Sequence, residues 1–177
     1  MLDIREELKE QADLNRYIVK MKKNAVNALL SEYKKAILEL QNVIRNISDE
    51  NLALIADAET RDEDCKSIQT VLAHVVNSGY GYCVYIRNSK NDTAERPQKL
   101  IRKSAEDYIT DLNTVLQFTD ETFKEIYDED LERFSEPEKM KTSWGQFYDI
   151  EQLFEHAIVH ILRHRRQIEN FKTKLAI

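Results

Sequence analysis

This chain has almost none of the residues that let a backbone turn sharply. It has 3 glycines and 2 prolines in 177 residues, against an average usage of roughly 7% and 5%. Turn-rich all-β architectures and glycine-dependent nucleotide loops need far more of both. Neither the dinucleotide-binding GxGxxG string nor a P-loop string occurs. The bulk of the chain is therefore expected to be helical.

Apolar spacing says where. Over residues 22–47, Val26, Leu30, Tyr33, Ile37, Leu40, Ile44 and Ile47 step by four and three alternately, the seam of a bundle helix. Ser48 and Asp49 break it. Leu2 to Met21 reads as an extra N-terminal helix or an extension of this one. Residues 49–66 are acidic and irregular, with the run Arg61-Asp62-Glu63-Asp64 near their end. A second helix is expected from Ser67, as N-cap, to about Arg87, with Ile68, Leu72, Val75, Gly79, Tyr82 and Ile86 on one side. Gly79 and Gly81 weaken it by about 1 kcal/mol each relative to Ala, which points to close packing or a pocket there. Ser89 to Pro97 reads as a loop. A third helix, capped by Ser104, carries Tyr108, Leu112, Val115, Thr119, Phe123 and Ile126. Asp128 to Lys141 is a charged linker, and Thr142-Ser143-Trp144-Gly145 is expected to pack over one end. A fourth helix runs from about Asp149 to Lys174. The expectation is an all-α four-helix bundle, one domain over residues 1–177. The 49–66 and 127–148 connections are too long for hairpins, which leaves the helix order open.

Composition excludes several function classes. Thirty-two acidic residues against 26 basic ones give a net charge of −6, so no broad nucleic-acid face is expected. Cys65 and Cys83 match no zinc-ribbon or CxxC spacing and are expected to be structural, in a reducing cytoplasm. No signal peptide is visible. Ser67 to Ile86 lacks formal charge over the length of a membrane span, but Gln69, Thr70, His74, Asn77 and Ser78 make it too polar for lipid. A soluble protein is expected.

Three of the four histidines, His156, His160 and His164, fall four residues apart in the last helix. Residues i and i+4 lie one turn apart on nearly one face, so two such imidazoles can grip one metal ion. On the helical wheel His164 projects into the apolar seam, His160 lies at its edge, and His156 is displaced outward. A third histidine must come from another helix, and His74 remains. The expected metal site is His74, His160 and His164; the same pattern also suits hydrogen-bonded core histidines. Gln167 is placed to hydrogen-bond an imidazole from behind. Ser78 and Tyr85 share the His74 stripe and are candidates to line a pocket. Arg163, Arg165 and Arg166 form the one dense basic cluster, which suits an anion site near the metal; for Arg163 and Arg166, pairing with acidic neighbours and the helix dipole is the preferred reading. No carboxylate sits at a spacing that compels a general-base role, and the catalytic residues stay unassigned.

The run from Phe154 to Ile168, in which three residues separate His160 from His164-Arg165-Arg166-Gln167-Ile168, resembles the last helix of the DinB/YfiT-like metalloprotein superfamily. Ile68-Gln69-Thr70-Val71-Leu72-Ala73-His74-Val75 resembles that family's second helix. Arg166 stands where many members carry Gly. The resemblance implies a four-helix bundle with His74, His160 and His164 holding a divalent metal, zinc or nickel, often as a homodimer. It also implies thiol-dependent transfer, with low-molecular-weight thiols such as bacillithiol or mycothiol as partners. Three neutral imidazoles leave the ion net positive with an open position, which fits thiol transfer or hydrolysis. The rival expectation is a bundle without catalysis, a binding or dimerisation protein.

Overall fold

The computed structural model describes residues 23–177 and, before them, Lys9 alone. The helix read over residues 2–21 lies outside the described residues, apart from Lys9. Four long helices make the fold: α1 (Asn24–Ile44), α3 (Ile68–Ser89), α4 (Ala105–Thr122) and α6 (Ile150–Leu175). Between them lie the short helices α2 (Asp49–Ala53) and α5 (Asp128–Leu131), and a small antiparallel hairpin of β1 (Met140–Lys141) and β2 (Phe147–Tyr148). The all-α expectation holds, with the hairpin as a local departure from it. Among the described residues no helix is long and apolar enough to cross a membrane.

Each long helix starts where a side chain can satisfy its free N–H groups. Ser67 and Thr70 form a reciprocal capping box on α3, and Asp149 with Gln152 does the same on α6. Ser104 accepts from the Asp107 N–H at the start of α4. For α1 the cap comes from far along the chain, because the Asp128 carboxylate accepts from Asn24 N at 2.9 Å and Val26 N at 3.0 Å. The seam residues predicted on all four helices meet in one core. Phe154 anchors its centre, with ring centroids 4.8 Å from Tyr33 and 4.5 Å from Phe123.

The helices form a ring in which α1 touches α6 and α4, and α3 touches α4 and α6. Their relative directions follow from paired residues. Glu39 meets Arg165 and Val43 meets Lys172, so α1 and α6 are parallel. Gln41 donates to Asn113 Oδ1 while Lys23 reaches Phe123, so α1 and α4 are antiparallel. Gln69 lies by Tyr108, and Cys83 by Thr119, so α3 and α4 are adjacent and parallel. The order is up-down-down-up.

A parallel neighbour pair requires a connection that travels the length of the bundle, and residues 90–104 supply it. At roughly 3.3 Å per residue this strap outspans the ~33 Å of a 22-residue helix. It leaves α3 through Asn91, at φ 63°, a left-handed conformation Asn tolerates. It is pinned at its far end by Gln69 Nε2 donating to Arg102 O (2.7 Å), and by Tyr108, whose hydroxyl donates to Gln69 O and accepts from Arg102 N. The spacing marked Ser89 to Pro97 as a loop and left the helix order open. Residues 45–67 and 123–149 join helices across the diagonal, and the lengthwise crossing is the strap.

Both helical glycines mark close approaches. A Cβ on Gly79 would lie 2.6 Å from Val115 Cγ1 on α4. A Cβ on Gly81 would lie 3.2 Å from Nη1 of Arg96 on the strap. Gly79→Ala is therefore expected to destabilise the protein, because overpacking costs of about 1–3 kcal/mol outweigh the gain in helix propensity of about 1 kcal/mol. Gly81→Ala meets only the movable end of an arginine and is expected to be neutral or stabilising. Urea midpoints in the opposite order would refute the tight α3–α4 contact.

Candidate metal centre

The site lies where α3 runs antiparallel against α6. The i,i+4 spacing on α6 aims His160 and His164 at α3, and His74 meets them. His160 Nε2 lies 2.9 Å from His74 Nε2 and 3.1 Å from His164 Nε2. Each imidazole offers one ring nitrogen within 4.8 Å of the others. His164 is 4% exposed, and His74 and His160 are half-buried, the order the wheel predicts for α6.

The outer nitrogens are held from behind, and this fixes the tautomers. His74 Nδ1 lies 3.1 Å from Asp64 Oδ2, and a carboxylate only accepts, so Nδ1 carries the proton. His164 Nδ1 lies 2.8 Å from Gln167 Oε1 and is protonated for the same reason. Both Nε2 atoms therefore present lone pairs toward His160 Nε2. That nitrogen can donate to one of them at most, and His160 Nδ1 is itself buried without a partner. Three imidazoles converging with unsatisfied lone pairs, two of them backed by hydrogen bonds, form a donor set that fits a divalent cation. Tetrahedral sites with metal–nitrogen bonds of about 2.0–2.1 Å set their nitrogens roughly 3.3 Å apart, close to the spacing here.

Burial and mutual repulsion keep His160 and His164 neutral. Burial, then His164 and His74, push the His160 pKa down to about 2. Burial also lowers His164, although its hydrogen bond to Gln167 works the other way. Burial by itself would raise Asp64, but the Lys99 ion pair and then His74 hold its carboxyl below the usual range. Lys99 comes from the strap. Asp64 comes from a 3-10 turn over Glu63–Cys65, in which the Asp62 carboxylate accepts from Asp64 N. That turn packs against α3, and the chain just after it is fixed by Ala56 N and Asp57 N donating to Lys66 O.

Beside the histidines opens a cleft of about 370 Å³, into which His74 and His160 face. Its far wall is the loop of the β-hairpin, which Gly145 closes at φ 87°. That loop is anchored where Tyr85 Oη accepts from Ser143 N at 2.8 Å. It lays Trp144 over His156, with centroids 5.6 Å apart and planes 23° apart. The expected packing of residues 142–145 over the bundle is thus a wall of the site. Ser78 lines the cleft, and Tyr85 acts by holding its wall. Arg165, the member of the basic cluster left open by the sequence, pairs with Glu39 and Glu169. Cys83 is buried against Thr119, and burial raises its pKa to about 11. Cys65 Sγ lies 3.4 Å from Asp62 Oδ2 and 4.0 Å from Gln167 Oε1. The spacing analysis did not single out Asp64, Lys99 or Arg96 as site residues. The glycine at 81 was the one local signal of the strap.

A protein-family sequence model described as the DinB family matches residues 21–171. No curated protein and no solved structure matches the chain.

His74→Ala and His164→Ala are expected to abolish stoichiometric metal, whereas His156→Ala retains it. Asp64→Asn should weaken affinity about 10–100-fold through loss of the His74 brace. Elemental analysis and competition titration read these directly, and equal losses at His156 and His164 would refute the assignment. The cluster also couples folding to protons. His160 and His164 stay neutral when folded but protonate in the unfolded chain below about 6.5, so stability is full above that pH and falls progressively as pH drops below it. In chelator, urea midpoints between pH 7 and pH 5 should fall less steeply for His160→Gln than for the unsubstituted protein.

Proposed function

This chain belongs to the DinB family, and on that premise we propose that it is a divalent-metal-dependent enzyme acting on small molecules, by thiol-dependent transfer or by hydrolysis. Zinc or nickel would be held by His74, His160 and His164. The observation that carries the reading is the convergence of the three Nε2 atoms beside an open cleft. The thiol class, with bacillithiol or mycothiol as candidates, comes from the family resemblance, as does a homodimer; a cytoplasmic setting comes from the cysteine usage.

A bound cation supplies Lewis acidity that brings the pKa of a water or thiol nucleophile down towards neutrality. The chain's own residues do the rest. Asp64 and Gln167 fix the orientation of two imidazoles. Trp144 and Tyr82 exclude water from the cleft wall. His156 is the proton acceptor in this reading. The Tyr148 hydroxyl donates to Gln146 Oε1 and so accepts from His156 Nδ1 at 3.3 Å. The His156 Nε2 lone pair is thereby left free on a cleft-lining ring, and burial lowers its pKa, keeping it the free base at neutral pH.

Protein purified without chelator is expected to carry about one zinc or nickel per chain. It should accelerate thiol conjugation to monochlorobimane or hydrolysis of 4-nitrophenyl acetate, and sediment as a dimer. Stripping the metal should abolish the activity and reloading restore it. His156→Gln should keep the metal yet lose roughly 10²–10⁴-fold in rate. Activity that survives metal removal would overturn the reading.

A further inference from the structure

The strap carries a second cation to the cleft besides Lys99. Lys99 is spent on Asp64. Arg96 lines the cleft beside Tyr82, Trp144 and His156 and, among the described residues, makes no hydrogen bond or ion pair. Its position is built into the chain at two points. Pro97 restricts the preceding residue to extended backbone, which suits a strap running along a helix. Gly81, a residue that weakens the middle of α3, removes the Cβ that would stand 3.2 Å from Arg96 Nη1 and 3.7 Å from its Cδ. The exposed Arg96 side chain therefore runs close against α3 at the edge of the site, with its donors uncommitted among the described residues.

We propose that this cleft is a carboxylate-selective subsite: a small organic acid docks its carboxyl group on Arg96 and lays its apolar body against Trp144 and Tyr82. The inference rests on the reading of the cleft as the place where substrate meets the histidine centre. A single planar guanidinium, with no second free cation among the lining residues, matches a planar monoanion in a bidentate fork better than a phosphate dianion. The chain's net charge of −6 repels anions in general, so a dedicated cation is what admits one. Trp144, 44% exposed, leaves an aromatic face open to the ligand.

Trp144 is the chain's one tryptophan, so its fluorescence reports the cleft without a label. The test titrates metal-loaded protein with phenylacetate and with phenylacetamide, which share a shape and differ in charge, while metal content is measured in every preparation. Phenylacetate is expected to bind at least about tenfold more tightly, as the loss of one charge-assisted pair implies. Arg96→Gln should erase that difference, and Arg96→Lys, which keeps charge without the fork, should recover part of it. Equal binding of the two probes by the unsubstituted protein overturns the inference. So does a carboxylate preference that persists in Arg96→Gln, because the anion would then sit on another group. Metal retained without carboxylate preference sinks this inference alone. Carboxylate preference without metal sinks the metalloenzyme reading and leaves the subsite standing.

Discussion

Three imidazole nitrogens buried with their lone pairs facing one another are a liability unless a cation lies among them. Leaving a buried polar atom unpaired costs about 1–3 kcal/mol, and the His74, His160 and His164 arrangement concentrates several such atoms in one place. Much of the surrounding structure is arranged around that cost. Asp64 and Gln167 commit the outer nitrogens as donors, which steers the lone pairs inward. Lys99 neutralises Asp64, so that the brace does not add an unpaired charge at the rim. Folding and cation binding are thereby linked: whatever fills the centre stabilises the α3–α6 contact that creates it.

The second organising constraint is the parallel pair α3 and α4. Gly79 lets the two helices approach until Val115 fills the space a Cβ would take. Parallel neighbours cannot be joined by a tight turn, so the chain must return along the outside of α3. That return brings Lys99 and Arg96 from a segment without regular secondary structure into contact with the functional end of a long helix. The hairpin between α5 and α6 closes the opposite side, with Trp144 held by Tyr85 and stacked on His156. The site thus combines a rigid floor on two helices, which carry the histidines, with walls from two connections, which add Arg96, Ser143 and Trp144.

Most of the bundle was legible because its signals are local. Seam residues three and four apart, Ser67 and Ser104 as caps, and histidines at i and i+4 on α6 are patterns of helix geometry, and all recur in the structure. Asp64 was visible only as part of a charged run. Its role depends on a 3-10 turn and on packing against α3, which no spacing records. The strap was read as a loop for a similar reason: chain direction in a bundle is decided by which helices pack, and the seam of an amphipathic helix is the same whether its neighbour runs parallel or antiparallel.

The sequence by itself determined that this chain is helical, where its long helices begin, and which histidines face inward, because backbone propensity and 3.6-residue periodicity act over a few residues at a time. Only the tertiary structure decided that α3 lies antiparallel to α6 and parallel to α4, that Asp64, paired with Lys99, braces His74, and that Arg96 and Trp144 face one cleft. Those are juxtapositions of residues far apart in the chain. They are set by how closely helix surfaces can approach and by the routes that the connections are then forced to take.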